Sequence, residues 1–162
     1  MRSAKQRIRV LYLCTSNSCR SQMAEGWARH LKSDVIEAYS AGTPTRDLDP
    51  RAVRVMAEAG VDIASQSSKH LSALLPVPFD YVVTVCDAAR EACPVFPGKT
   101  RVIHVEFADP PKLAERAATE EEALAHYRRV RDEIRVFVES LPDRWVHPSP
   151  GRPTPGPASD RL

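Results

Sequence analysis

Cys14-Thr15-Ser16-Asn17-Ser18-Cys19-Arg20-Ser21 is the stretch that decides the fold. An apolar run, Ile8-Arg9-Val10-Leu11-Tyr12-Leu13, leads into it, and a helical pattern leaves it from Gln22. A strand that passes through a small-residue loop into a helix N-terminus makes an anion site. Successive backbone N–H groups converge there, and the helix dipole adds about half a positive charge. Cys14 and Arg20 have the C-x5-R spacing. The guanidinium can grip an oxyanion through two parallel hydrogen bonds, and the same field favours the thiolate of Cys14. The expectation is a nucleophile in a cradle for a tetrahedral oxyanion. Thr15, Ser16, Asn17, Ser18, Cys19 and Arg20 would line it, and Ser21 would hydrogen-bond the thiolate. Asn17 suits a left-handed loop position, and Cys19 should pack under the loop, its side chain turned from the anion.

Outward from this loop, strands and helices alternate. Met23, Ala24, Trp27, Ala28 and Leu31 recur at helical spacing, predicting a helix to about Lys32. Val35 to Ala41 reads as a strand, which completes a βαβ unit with parallel pairing and a right-handed crossover as the default. Asp49-Pro50 supplies an N-cap and a first-turn proline for the next helix, which ends near Gly60. Ser65 to Leu75 predicts a shorter helix, Phe79 to Cys86 a central strand and Arg101 to Val105 a fourth strand. Asp87 to Ala92 suits a turn or two of helix, Pro97-Gly98 a turn, and Ala108-Asp109-Pro110-Pro111 a loop. Thr119 and Glu122 form a capping box ahead of a helix with Leu124, Tyr127, Val130, Ile134, Phe137, Val138 and Leu141 on one stripe. The pattern is a three-layer α/β sandwich with a four-stranded parallel sheet flanked by helices. It predicts one domain over 1–142 and a Pro-rich, disordered tail over 143–162.

The chain has 162 residues, 43% of them apolar and 27% charged, with a formal net charge of +2. That balance gives no reason to expect nucleic acid. The apolar run near the N-terminus is too short and too charged for a membrane span or a signal peptide. A cytoplasmic protein with reduced thiols is expected, acting as a monomer.

In such sheets ligands sit beyond the carboxyl ends of the strands, where Cys14, Cys86 and Asp109 all fall. Asp109 either starts a turn or acts as the general acid that protonates a departing oxygen; its position favours the acid. Cys86 and Cys93, spaced C-x6-C, flank a polar stretch without core periodicity. They read as a redox pair that resolves a covalent adduct on Cys14. A zinc site built from the four cysteines is the weaker alternative, because it lacks a C-x2-C pair and would consume the nucleophile. No metal or cofactor is expected. The five histidines show no ligand spacing and read as surface or lining residues.

Cys14 to Gly26, with Ser40-Ala41-Gly42, Phe79-Asp80, Val82-Val83-Thr84-Val85-Cys86, Cys93-Pro94 and Asp109-Pro110, resembles the thioredoxin-coupled arsenate reductases, which share the low-molecular-weight tyrosine phosphatase fold. The resemblance spans about residues 8 to 141. The first motif is shared with the phosphatases, but Cys86 and Cys93 are not needed there, and Pro111 stands where the phosphatases tend to carry tyrosine. What the resemblance implies is a relay. Cys14 attacks arsenate, with phosphate or sulfate as competing oxyanions, and Asp109 protonates the leaving oxygen. Cys86 then attacks Cys14, arsenite leaves, and Cys93 moves the disulfide to Cys86–Cys93 for reduction by thioredoxin. The alternatives are a low-molecular-weight tyrosine phosphatase and a non-catalytic thiol redox sensor. Ser16 stands where many members have glycine. Some members bind potassium through Asn, Glu, Ser and Asp; Asn17, Glu25 and Ser40 match three of these, and Lys69 falls near the fourth. The implied consequence is a lysine in place of the cation and no dependence on potassium.

Overall fold

The computed structural model describes residues 6–43, 45–86, 93, 96 and 98–146. β1 (Ile8–Cys14) runs into α1 (Arg20–Lys32), and β2 (Ile36–Gly42) returns beside β1. After α2 (Pro50–Glu58), β3 (Tyr81–Thr84) pairs with the other edge of β1, and β4 (Arg101–His104) pairs with β3. The sheet order is β2-β1-β3-β4, parallel throughout. Val10, Leu11, Tyr12 and Leu13 are each at most 1% exposed. Successive side chains of a strand point to opposite faces, so both faces of β1 are covered and the helices form layers on either side.

α3 (Pro110–Ala114), α4 (Glu120–Glu139) and the short α5 (Asp143–Val146) complete the chain. The whole predicted stripe, Leu124 to Val138 on α4 and Leu141 just past its end, is buried. Trp27 of α1 is fully buried and donates its indole N–H to the Arg131 carbonyl of α4 at 3.1 Å, while the Arg131 guanidinium reaches the Val55 carbonyl of α2 at 2.8 Å. These contacts lock three helices together. Among the described residues no helix is long and apolar enough to cross a membrane.

Several expectations change. Residues 65–75 hold only a single 3-10 turn at Leu71–Ala73. The backbone groups that a helix would use are engaged elsewhere: the Lys69 carbonyl accepts from Gly42 N–H at 2.8 Å, and the Lys69 N–H donates to the Asn17 side chain at 2.7 Å. β3 is shorter than 79–86, although the Val85 N–H still reaches the Leu13 carbonyl. The expected loop at Pro110-Pro111 opens α3, because proline at a first helical turn loses no hydrogen bond. The capping box is half reciprocal. Glu122 N–H donates to Thr119 Oγ1 at 3.1 Å, but the Glu122 carboxylate accepts from Ala118 N–H rather than from Thr119.

The packed chain also runs past residue 142. Trp145 of α5 is buried and stacks on Tyr81 with ring centroids 4.0 Å apart, so residues 143–146 belong with the domain. The rest of the expected tail, 147–162, lies outside the described residues, as does the expected hinge at 87–92.

Candidate active site

The loop from Cys14 to Arg20 lies at the carboxyl end of β1, and the direction of its peptide groups is the first chemical fact about it. The Thr15 carbonyl accepts from Thr43 N–H at 2.9 Å. The Ser16 carbonyl accepts from Arg46 N–H at 3.0 Å and from the Ser68 hydroxyl at 3.2 Å. Asn17 accepts from the Gln22 side chain at 3.0 Å, Ser18 from Asp49 N–H at 3.0 Å and Cys19 from Met23 N–H at 2.9 Å. In a planar trans peptide the C=O and the following N–H point opposite ways. Carbonyls fixed outward at 15–19 therefore turn the N–H groups of 16–20 inward. Among the described residues none of these N–H groups has a protein acceptor. A ring of converging backbone donors at a helix N-terminus is an anion cradle.

Two features let the loop close this tightly. Asn17 has φ +52°, the left-handed conformation that Asn tolerates. Gly42, at the end of β2, touches the loop so closely that a Cβ there would lie 2.5 Å from Asn17 N and 2.7 Å from Ser16 C.

Cys14 is buried, with its sulfur 2.9 Å from Ser21 Oγ. The Asn17 side-chain NH2 donates to the same Ser21 oxygen at 2.8 Å. With that oxygen already accepting, the Ser21 proton is available to the Cys14 sulfur, and an O–H donated to a thiolate stabilises it. Cys19 is buried beneath the loop, in the hydrophobic core. Burial first, and then the Asp49 carboxylate, push its thiol well above the usual range, so it stays neutral. The two loop cysteines thus differ in surroundings: Cys14 meets a hydroxyl donor, and Cys19 packs in the core.

Arg20 is 8% exposed; it donates to the Phe107 carbonyl at 2.9 Å and lies 3.6 Å from the Asp109 carboxylate. An oxyanion in the cradle would compete for a guanidinium that already faces it. Asp109 precedes α3, but its carboxylate makes no capping bond to that helix, which leaves it facing Arg20 and the mouth of the site. Cys86 sits beyond β3 with its sulfur 3.0 Å from Thr15 Oγ1. Leu13 pairs with Thr84, so the residues that follow β1 and β3 leave the same edge of the sheet side by side. Cys14, Thr15, Arg20, Ser21, Cys86 and Asp109 are thus brought together. Cys93 is half-buried, and burial pushes its thiol up to about 11; nothing described places it against Cys14.

A second charged cluster sits behind the loop. Glu25, almost fully buried, accepts from the Ser40 hydroxyl, pairs with Arg29 at 2.7 Å and lies 3.7 Å from Lys69 Nζ. Burial lowers the pKa of Lys69 and Glu25 opposes that shift. The Lys69 ammonium stands beside Glu25, one of the three residues that match the potassium ligands, and donates to the Ser67 carbonyl at 2.6 Å.

The sequence missed the groups that hold the loop from outside. Thr43, Arg46 and Asp49 act through backbone N–H groups, which carry no residue signature. Gln22 and Ser68 were visible only as a polar residue in a helical stripe and a serine beside Lys69. His104 corrects the view of the histidines. It is 4% exposed, with Nδ1 2.8 Å from Thr84 Oγ1 between the ends of β3 and β4.

A parallel sheet of this order, with a Cys-x5-Arg cradle after its first strand and an aspartate after its last, defines a class. The family model described as low molecular weight phosphotyrosine protein phosphatase matches residues 9–144, and the chain belongs to that family. Among its relatives are arsenate reductases. The one from Bacillus subtilis is 45% identical over 125 residues, 77% of this chain and 88% of that protein. The solved structure of an arsenate reductase in the phosphate-binding state superposes with a TM-score of 0.66 at 29% identity, over 83% of this chain and 95% of that one. A thioredoxin-dependent arsenate reductase from Corynebacterium glutamicum gives a TM-score of 0.60 at 25% identity, over 85% of this chain and 63% of that one.

Proposed function

We propose that the chain reduces arsenate to arsenite through Cys14, Cys86 and Cys93, in arsenic detoxification, with a thioredoxin-type dithiol as the final reductant. The arsenate reductase relatives support the substrate. The observation that carries the reaction is the Cys86 sulfur held on Thr15, one residue past the nucleophile, where ester hydrolysis has no use for a thiol.

Arsenate occupies the cradle, held by the N–H groups of 16–20 and by Arg20. The Cys14 thiolate forms an S–As bond, and Asp109 gives its proton to the departing oxygen, which leaves as water. Cys86 then attacks the Cys14 sulfur. An S–S bond forms, the S–As bond breaks with its electron pair staying on arsenic, and As(V) becomes As(III). Cys93 attacks Cys86, forming Cys86–Cys93 and restoring the Cys14 thiolate. A dithiol reduces this disulfide; the thioredoxin-dependent relative favours thioredoxin. The enzyme acts as a cytoplasmic monomer.

Mass spectrometry of the disulfides after arsenate alone is the test: Cys86–Cys93 should accumulate, with one arsenite released per disulfide. A disulfide that forms with peroxide but not with arsenate would favour a redox sensor. The shared loop also favours weak hydrolysis of small phosphomonoesters as a side activity.

Since burial holds Cys93 at about 11, its thiolate fraction at neutral pH is small and grows about tenfold per pH unit. The Cys86–Cys93 step, followed in single turnovers, should accelerate by roughly a hundredfold between pH 7 and 9. A flat profile would mean that Cys93 leaves its buried position before it reacts.

Lys69 supplies the positive charge that a cation would bring to Glu25. Turnover should be indifferent to potassium, whereas Lys69→Met should be less stable by about 1–2 kcal/mol and should gain activity on adding potassium. Several-fold activation of the unmodified enzyme by potassium would refute this role.

A further inference from the structure

The outer ring that turns the loop carbonyls away from the anion is itself anchored, at one point, by a distant helix. Asp49 donates its backbone N–H to the Ser18 carbonyl at 3.0 Å. Its side chain is used twice: Oδ1 accepts from Arg51 N–H at 2.9 Å, capping α2, and Oδ2 accepts from the Tyr127 hydroxyl at 2.7 Å. Tyr127 belongs to α4 and is 1% exposed. The Arg51 guanidinium lies 5.9 Å over the Tyr127 ring and is bound to Glu120 at the start of the same helix.

From this chain of contacts we infer that Tyr127 is a positioning residue for oxyanion binding, acting through Asp49 on the peptide between Ser18 and Cys19. The inference rests on reading the loop as the anion cradle. Holding the Ser18 carbonyl outward aims the Cys19 N–H at the anion, because the peptide is planar and trans. Arg51 N–H fixes only one oxygen of Asp49. The second oxygen, held by a buried phenol from the opposite side, removes the remaining rotation of the side chain and, with it, slack in the backbone N–H that grips Ser18. Tyr127 touches no reacting atom. The same contact keeps the Asp49 carboxylate near Cys19, where it helps to hold that thiol neutral.

The experiment measures inorganic phosphate binding to the full chain, by its protection of Cys14 against iodoacetamide, beside the steady-state constants for arsenate. Tyr127→Phe should weaken phosphate binding about five- to tenfold, the scale of one lost hydrogen bond. It should raise KM for arsenate by a similar factor and leave kcat nearly unchanged. Asp49→Ser keeps a helix cap but cannot reach Tyr127; it should give the same loss, and the double variant should be no worse than either single one. Trp145→Leu, which removes the stack on Tyr81 far from the loop, should lower the melting temperature at least as much without changing phosphate affinity. Wild-type affinity in Tyr127→Phe overturns the inference, as does an equal loss of affinity in Trp145→Leu. If Tyr127→Phe does not fold, unchanged affinity in Asp49→Ser overturns it. Failure of phosphate to protect wild-type Cys14 would instead remove the cradle itself, and the inference with it.

Discussion

Replacing Cys86 with serine should stop arsenate turnover while leaving the first chemical step intact. The Cys86 sulfur is one residue across from the nucleophile and rests on Thr15 Oγ1. In the proposed relay its thiolate makes the second attack, on the Cys14 sulfur, and displaces arsenite. A serine hydroxyl keeps the contact with Thr15 but cannot displace arsenite from Cys14. Turnover should fall by at least about a thousandfold, the scale of losing a covalent-catalysis nucleophile. Phosphate should still protect Cys14 from alkylation, and hydrolysis of para-nitrophenyl phosphate should persist at its wild-type level. Arsenate turnover that survives Cys86→Ser would remove the relay and leave a phosphatase.

Gly42→Ala should be nearly as damaging, for a reason with no chemistry in it. The added Cβ would lie 2.5 Å from Asn17 N, 2.7 Å from Ser16 C and 3.0 Å from Asn17 Cβ. These atoms are loop backbone and its first side-chain carbon, so no flexible tip can move aside. The loop must shift as a body, which costs about 1–3 kcal/mol of stability. A displacement near 1 Å at a reacting site costs about a hundredfold in rate. Activity per folded molecule should fall on that order, and phosphate should protect Cys14 poorly. Gly26→Ala is the matched comparison. Its Cβ would also come within 2.5 Å of a neighbour, but that neighbour is the Ile63 Cγ2 methyl in the core. Stability should drop while activity per folded molecule stays close to wild type. If Gly42→Ala keeps full activity, the close approach of β2 does not shape the cradle.

Much of the site was legible because its chemistry is local. Cys14, Arg20 and Ser21 lie within one strand-loop-helix unit, where spacing along the chain sets spacing in space. Cys86 and Asp109 could be placed because parallel strands deliver their following residues to one edge of the sheet. Residues 65–75 form no helix because propensity argues from neighbours in sequence, whereas Ser68 and Lys69 donate to Ser16 and Asn17 and the Lys69 carbonyl accepts from Gly42 N–H. The packing of residues just past 142 was hidden for a related reason. Composition changes there, but Trp145 finds Tyr81 to pack against.

The sequence alone pointed to the four strands, the helices that follow Cys19, Asp49 and Thr119, and the loop with Cys14 and Arg20 as its candidate nucleophile and anion grip. All of these follow from periodicity and from residue types within a few positions of each other. Only the tertiary structure decided which way the loop's peptides face. Asn17 and Cys19 find donors in α1, but the Thr15, Ser16 and Ser18 carbonyls are held by Thr43, Arg46, Asp49 and Ser68, on segments that meet the loop only after the sheet has formed. A backbone N–H is the same on every residue but proline. No sequence pattern announces which of them will hold a carbonyl outward, and the cradle exists only because these do.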